Sequence, residues 1–217
     1  MSAQLPIRVL LVDDHAVVRQ GYRRLLEACE HIIVAGECSD AEAALRFFSE
    51  LSPDVVVMDI ALPGVSGIEA LRRILLLNTQ AKVLMFSMYD EPIYVQRALQ
   101  AGACGFVTKA SAPEVLVAAV DAVAQGRKYL SQDAAQHLAL RSAGAEGQAP
   151  ERLSSREFEV LRLLVAGQSI RNIADSLHLT PKTVANHQSA IKQKLGVSSS
   201  VQLALKGAEL LNRELPD

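Results

Sequence analysis

Tryptophan is absent, and only 4 Tyr and 5 Phe stand among the 217 residues. Any core must therefore be aliphatic, built from the Val, Leu, Ile and Ala that raise the hydrophobic content to 50%. Cysteine is scarce too. Cys29, Cys38 and Cys104 are odd in number and form no close-spaced pair, which excludes a disulfide framework and a cysteine zinc site. They read as small buried hydrophobes in a reducing cytoplasm. Charged residues interrupt every apolar run before the ~18 residues that a membrane span needs, so no membrane is expected. The opening Met1–Pro6 lacks the basic start and apolar stretch of a secretory signal. The five histidines make no metal-binding pair by spacing.

No excess of one charge is present either, since the formal net charge is −2. That argues against a chain that coats nucleic acid indiscriminately. The balance is uneven along the chain: residues 1–130 hold 12 Lys and Arg against 15 Asp and Glu, whereas 151–217 hold 9 against 7. The sign changes between the two parts, which points to different partners.

The first 130 residues alternate short apolar runs with helical patterns. Strands are predicted at Ile7–Val12, Ile32–Glu37, Val55–Met58, Lys82–Phe86 and Cys104–Thr108. Helices are predicted from His15, from an Asp40 cap, up to Leu77, from Pro92, and behind a Ser111-x-x-Glu114 capping box. Five such strands alternating with five helices imply an α/β, five-stranded doubly wound parallel sheet, covered on both faces. Residues 132–140 are Ala-rich and suit a helix, while 141–150 are small, polar and breaker-rich and read as linker. Only helices follow: a second capping box at Ser154-x-x-Glu157, a short helix from Ser169 to Leu177, a helix opened by Thr180-Pro181 and stopped by Gly196, and a last one to Asn212. The predicted domains are thus 1–130, a linker at 131–150, and an all-α four-helix domain at 151–217.

Ligands of open parallel sheets bind beyond the carboxyl ends of the strands. There stand Asp13 and Asp14, Asp59, Ser87 and Lys109. One acid at a strand end is ordinarily a solvated turn former; five polar residues at successive strand ends are a constellation. Three carboxylates in one pocket repel each other, and a hard, oxygen-preferring cation relieves them. One carboxylate can then act as a nucleophile towards a phosphoryl group, with cation and lysine meeting the developing charge and the Ser87 hydroxyl bonding the transferred group.

Over residues 5–128 the sequence resembles the receiver domains of two-component response regulators, which have a flavodoxin-like sheet. The resemblance is carried by Leu11–His15, Val57–Gly67, Ser87 and Gly105–Lys109. It implies Asp59 as phosphoacceptor, with Asp14, Asp59 and the carbonyl of Ala61 on Mg²⁺ and Asp13 acting through water. Ser87 and Lys109 would bind phosphoryl oxygens, and Ser87 and Phe106 would form the switch. Where many receivers carry a cis proline after the lysine, Ala110 stands here. Tyr89, two residues past Ser87, is placed to shield a phosphoryl group from water and predicts slow autodephosphorylation.

In the C-terminal part, Lys182, Lys192 and Lys194 share a helix with no acidic residue, as a polyanion requires; a solvated basic helix is the plainer reading of charge alone. Leu153–Leu161, Gly167-Gln168-Ser169, Ile173-Ala174 and Thr180 through Val197 resemble LuxR-type helix-turn-helix domains. Together the two resemblances imply a NarL/FixJ response regulator. By helical period Val184, Ile191 and Leu195, with Ile173, Ala174 and Leu177, face a core. Ala185, Asn186 and Ser189 face base edges; Lys182, Thr183, His187, Lys192 and Lys194 meet phosphates or the groove wall. His187 is alternatively a core residue, and Leu203 and Leu210 are core or dimer contact. The implied partners are a sensor histidine kinase, promoter DNA, a second copy when active, and RNA polymerase. Phosphorylation would free the DNA-binding helix, promote dimerisation, or both. An aspartyl phosphatase needs a second acid where Ala61 stands, a quorum-sensing regulator needs an aromatic ligand pocket, and a phosphorylation-independent receiver would not need the complete acidic site.

Overall fold

The computed structural model describes residues 5–90, 92–144, 153–177 and 179–212. The chain divides into two compact units between Leu138 and Ala139. The first runs β1 (Ile7–Val12), α1 (Ala16–Glu27), β2 (Ile32–Cys38), α2 (Ala41–Leu51), β3 (Val55–Met58), α3 (Gly67–Leu77), β4 (Val83–Ser87), α4 (Pro92–Gln100), β5 (Gly105–Thr108), α5 (Pro113–Ala124) and β6 (Tyr129–Leu130), and enters α6 (Gln132–Gly144). All strand pairs are parallel, in the order β2-β1-β3-β4-β5-β6.

Every residue of β3, β4 and β5 is buried, as continuous apolar runs require of strands covered on both faces. On one face Val9, Leu11, Val57, Leu84, Phe86 and Val107 pack with Leu26 of α1 and Leu116, Ala119, Val120 and Val123 of α5. The alternate residues Leu10, Met58, Met85 and Phe106 are buried too, on the opposite face by the two-residue strand period. The core is aliphatic, as the composition demands.

The predicted strands and helices are present, all but one within about two residues of their expected limits, and the caps at Asp40, Ser154 and Thr180 form. The exception is the helix expected over 132–140, which runs on to Gly144 and into the segment read as linker. Two further features differ. A sixth strand, β6, adds to β5; its two residues leave no periodic signal in the sequence. The capping box at Ser111 does not form. Pro113 is the first helical residue of α5, which makes Ala112 the cap and leaves Ser111 outside the helix. The Ser111 hydroxyl instead lies 2.9 Å from that of Thr108 and donates to Asp133 of α6.

The second unit holds α7 (Ser155–Val165), α8 (Ile170–Ser176), α9 (Pro181–Leu195) and α10 (Ser200–Asn212). Its core joins Val160, Leu161, Ile173, Ala174, Leu177, Val184, Ile191, Leu195 and Leu203, with Leu210 packed at the margin. The predicted core face of the domain is thus in place, and Leu203 is core. Gly167 and Gly196 take positive φ and end α7 and α9 where a side chain would be strained. Most of the breaker-rich segment, at 145–150, lies outside the described residues. Among the described residues no helix is long and apolar enough to cross a membrane.

Candidate phosphoryl pocket and DNA-binding helix

Backbone pairing brings the acidic strand ends together. The Asp13 amide donates to Cys38, the Asp59 amide to Val12 and the Lys109 amide to Ser87, so each polar residue follows directly on a paired strand. Asp13 and Asp59 are 2% and 3% exposed. Lys109 Nζ sits between them, 2.5 Å from an oxygen of each. Burial by itself would lower the Lys109 pKa, but the Asp59 and Asp13 carboxylates outweigh it and hold the ammonium above its usual value. Ser87 donates to the other Asp59 oxygen at 2.7 Å, and the Ala61 amide reaches that oxygen at 3.3 Å. The five sequence-predicted strand-end residues therefore meet at one edge.

The phosphoacceptor candidate is held from behind as well. A Cβ on Gly67, at the start of α3, would stand 1.8 Å from the Asp59 carbonyl oxygen. Only glycine lets the α3 N-terminus approach so closely. Ser66 caps that helix through the Glu69 amide. Phe106 is fully buried on β5, opposite Met85. Tyr89 stacks on Tyr94 with centroids 4.9 Å apart. The peptide after Lys109 is trans.

Ligand atoms of Asp13, Asp14, His15 and Asp59 all lie within 4.8 Å of one another. Three carboxylates in a small space suit a hard divalent cation, whose preferred donors are oxygens. His15 was not expected in this group. Its only signal is its place, one residue after Asp14 at the N-cap of α1. Also unforeseen is the contact of α6 with both loops beyond the pocket. Asp133 accepts from Thr108 and Ser111 in one, and His137 Nδ1 bonds the Asp90 carbonyl in the other at 2.7 Å.

In the second unit, α9 presents Lys182, Asn186, Ser189 and Lys194 exposed, with Thr183, Ala185, His187 and Lys192 half-buried. Several of these already have partners. Lys194 Nζ lies 2.6 Å from Glu157 of α7, Lys192 Nζ donates to Ser200, the Thr183 hydroxyl meets that of Thr180, and Ser189 donates to the Ala185 carbonyl. Glu157 serves twice, since it also closes the α7 capping box at the Ser154 amide. Its burial would raise its pKa, but the Lys194 and Ser154 hydrogen bonds prevail and lower it. His187 is depressed mainly by burial, and further by Arg156 and Lys194. Buried Arg156, 2.6 Å from Glu159, also donates to the Leu177 carbonyl at the end of α8. It thereby fixes the turn that precedes α9.

A doubly wound sheet with an acidic, lysine-capped edge, followed by a helix-turn-helix unit with an acid-free exposed helix, defines a receiver joined to a DNA-binding domain. The sequence matches the response regulator receiver domain family over residues 9–121, and the bacterial regulatory proteins of the luxR family over 151–206. It is 40% identical to the response regulator GacA of Pseudomonas viridiflava, covering 92% of this chain and 94% of that one. It is 37% identical to the response regulator UvrY of Escherichia coli K12, over 91% of each. Among solved structures it is similar to the RcsB response regulator of Salmonella typhimurium, with TM-score 0.62, 29% identity, and coverage of 94% and 99%. It is also similar to RcsB in a complex with DNA, with TM-score 0.61, 27% identity, and coverage of 96% and 98%. A further RcsB structure is described as two dimers bound to two parallel DNAs. The chain belongs to the LuxR-type two-component response regulators of the NarL/FixJ group. It is a receiver-controlled, DNA-binding transcriptional regulator and not an enzyme.

Proposed function

We propose that a sensor histidine kinase transfers a phosphoryl group to Asp59, and that this controls promoter binding through α9. The observation that carries the reading is the state of the Asp59 carboxylate. It is buried, with Ser87 on one oxygen and Lys109 on the other, so groups able to receive phosphoryl oxygens already stand beside the nucleophile. In the transfer an Asp59 oxygen attacks phosphorus, the phosphorus–nitrogen bond of the phosphohistidine breaks, and the leaving imidazole takes up a proton. Lys109 moves its charge from the carboxylate to the new phosphoryl oxygens, and Ser87 turns its hydroxyl to another. Asp14, Asp59 and the Ala61 carbonyl would hold Mg²⁺, with Asp13 acting through water. When bound, the cation neutralises charge on the transferring oxygens. Withdrawal of Ser87 opens space for the Phe106 ring, which makes the pair a two-state packing element.

The working parts are a receiver at 1–130, a linker at 131–150 and a DNA-binding domain at 151–217. Asn186 is the residue best suited to read a base, by paired hydrogen bonds to adenine. Lys182, Thr183, His187, Lys192 and Lys194 would meet phosphates or the groove wall, with Ala185 and Ser189 facing bases. The RcsB dimers described on DNA support an active homodimer on DNA; a cytoplasmic place of action and RNA polymerase as a further partner complete the proposal.

The test is phosphorylation of wild type and Asp59→Asn with and without Mg²⁺, followed by DNA binding across genomic fragments. Label confined to wild type with Mg²⁺, together with tighter binding to a subset of fragments, is the expected result. Equal label on Asp59→Asn would overturn the assignment of the acceptor. DNA binding indifferent to label would overturn the switch.

A further inference from the structure

We infer that His15 is a nitrogen donor to the divalent cation of the acidic pocket, and that it widens the site's preference from magnesium towards cations that accept imidazole. The inference rests on the reading of the pocket as a cation site and adds a ligand to it.

Among the described residues, Lys109 and His15 both bring nitrogen to the carboxylate cluster, and they differ in kind. Lys109 Nζ, between Asp13 and Asp59, is an ammonium without a lone pair, so it competes with a cation and cannot bind one. The imidazole of His15 does offer a lone pair when neutral. Its Nδ1 is 2.7 Å from Asp14 Oδ1, an ion-pair contact whose proton a cation would replace, and 3.5 Å from Asp13 Oδ1. Adjacent ligands on an octahedral cation with bonds of about 2.1 Å stand about 3.0 Å apart. The two His15 distances straddle that spacing, so the ring nitrogen stands where a ligand beside both carboxylates would stand.

The ring is also held at its root. The His15 amide donates to Asp13 Oδ1 at 2.8 Å, which fixes the backbone as α1 begins. His15 sits at the N-cap of α1, yet its side chain makes no capping bond to the helix. The His15 side chain is 59% exposed whereas those of Asp13 and Asp14 are 3% and 8% exposed. The imidazole therefore stands at the mouth, with the acids beneath it. Imidazole favours Mn²⁺, Co²⁺ and Zn²⁺ far more than Mg²⁺, which prefers oxygen and keeps its waters.

The experiment compares tag-free full-length wild type and His15→Ala in two ways. Calorimetric titration with Mg²⁺ and with Co²⁺ gives affinities, and pulsed electron paramagnetic resonance of the Mn²⁺-loaded protein detects nitrogen bound to the metal. The expected result is a nitrogen coupling present in wild type and absent in the variant. It should be accompanied by a loss of about tenfold or more in Co²⁺ affinity, with Mg²⁺ affinity within about twofold. Retained Mg²⁺ binding also shows that the variant pocket is intact. Cation binding without nitrogen coupling, or equal losses for both metals, overturns the role of His15 alone. No cation binding by wild type overturns the pocket reading and this inference with it.

Discussion

The pocket of the receiver and the exposed face of α9 hold charge in opposite ways. In the pocket, Lys109, Asp13 and Asp59 are buried and locked to one another, so each group's position depends on the others. On α9 Lys182 and Lys194 are exposed and Lys192 is half-buried, and the amines of Lys194 and Lys192 are held by single partners, Glu157 and Ser200, that a phosphate backbone can replace. A switch needs the first arrangement, where adding one group upsets a balance. Polyanion binding needs the second, where counter-ions are released cheaply.

The contrast can be broken most sharply at Gly67. Gly67→Ala drives a methyl group into the Asp59 carbonyl, a backbone contact that no rotamer change relieves. We expect the receiver to lose more than about 3 kcal/mol and to take no phosphoryl label, with the α7–α10 unit unfolding as before; a receiver transition at the wild-type temperature would contradict the geometry. Lys109→Ala leaves two buried carboxylates without their counter-charge. About 3 kcal/mol should be lost in chelator and part of it regained with Mg²⁺, as read by urea unfolding under both conditions.

On the other side, Glu157→Gln keeps a side chain able to cap α7 but removes the charge facing Lys194. Non-specific DNA binding should tighten, and the slope of log affinity against log salt should steepen by about one. An unchanged slope in fluorescence anisotropy would mean that removing the Glu157 charge adds no phosphate contact at Lys194. The smallest effect is on pH. His187 has a folded pKa below its ordinary value of about 6.5, so the unfolded chain binds the proton more readily. The stability it contributes is present above pH ~6.5 and lost as pH falls through the lower folded value. The helical unit should therefore melt earlier in that window, and His187→Gln should flatten the trend. Glu157, also lowered, should add a second loss only below pH ~4.3, the ordinary carboxylate value.

Much of the first unit was legible because strand ends announce themselves: an apolar run stops at a polar residue, and four such stops, at Asp13-Asp14, Asp59, Ser87 and Lys109, imply one shared edge. The helical core was equally legible, since Val184, Ile191 and Leu195 repeat at the helix period. What escaped was decided between elements distant in sequence. Ser111 looks like a cap until Pro113 sets where α5 starts. Glu157 reads fully as a capping residue, and nothing in its neighbourhood announces Lys194, 37 positions on. His15 is one letter after an acidic pair, and the turn of its ring back over the carboxylates is set by the fold, not by that spacing.

The two residues of β6 carry a consequence out of proportion to their length. Tyr129 pairs with Gly105 so closely that a Cβ there would lie 2.5 Å from the Tyr129 carbonyl oxygen. The strand that delivers Lys109 is thereby spared the fate of an open edge, whose bare amides and carbonyls invite another chain to add on. The same two residues lead straight into α6, so the guard against aggregation is also the first stretch of the road to the DNA-binding half. A substitution at Gly105 would unseat both, and insolubility and lost signalling should then arrive together.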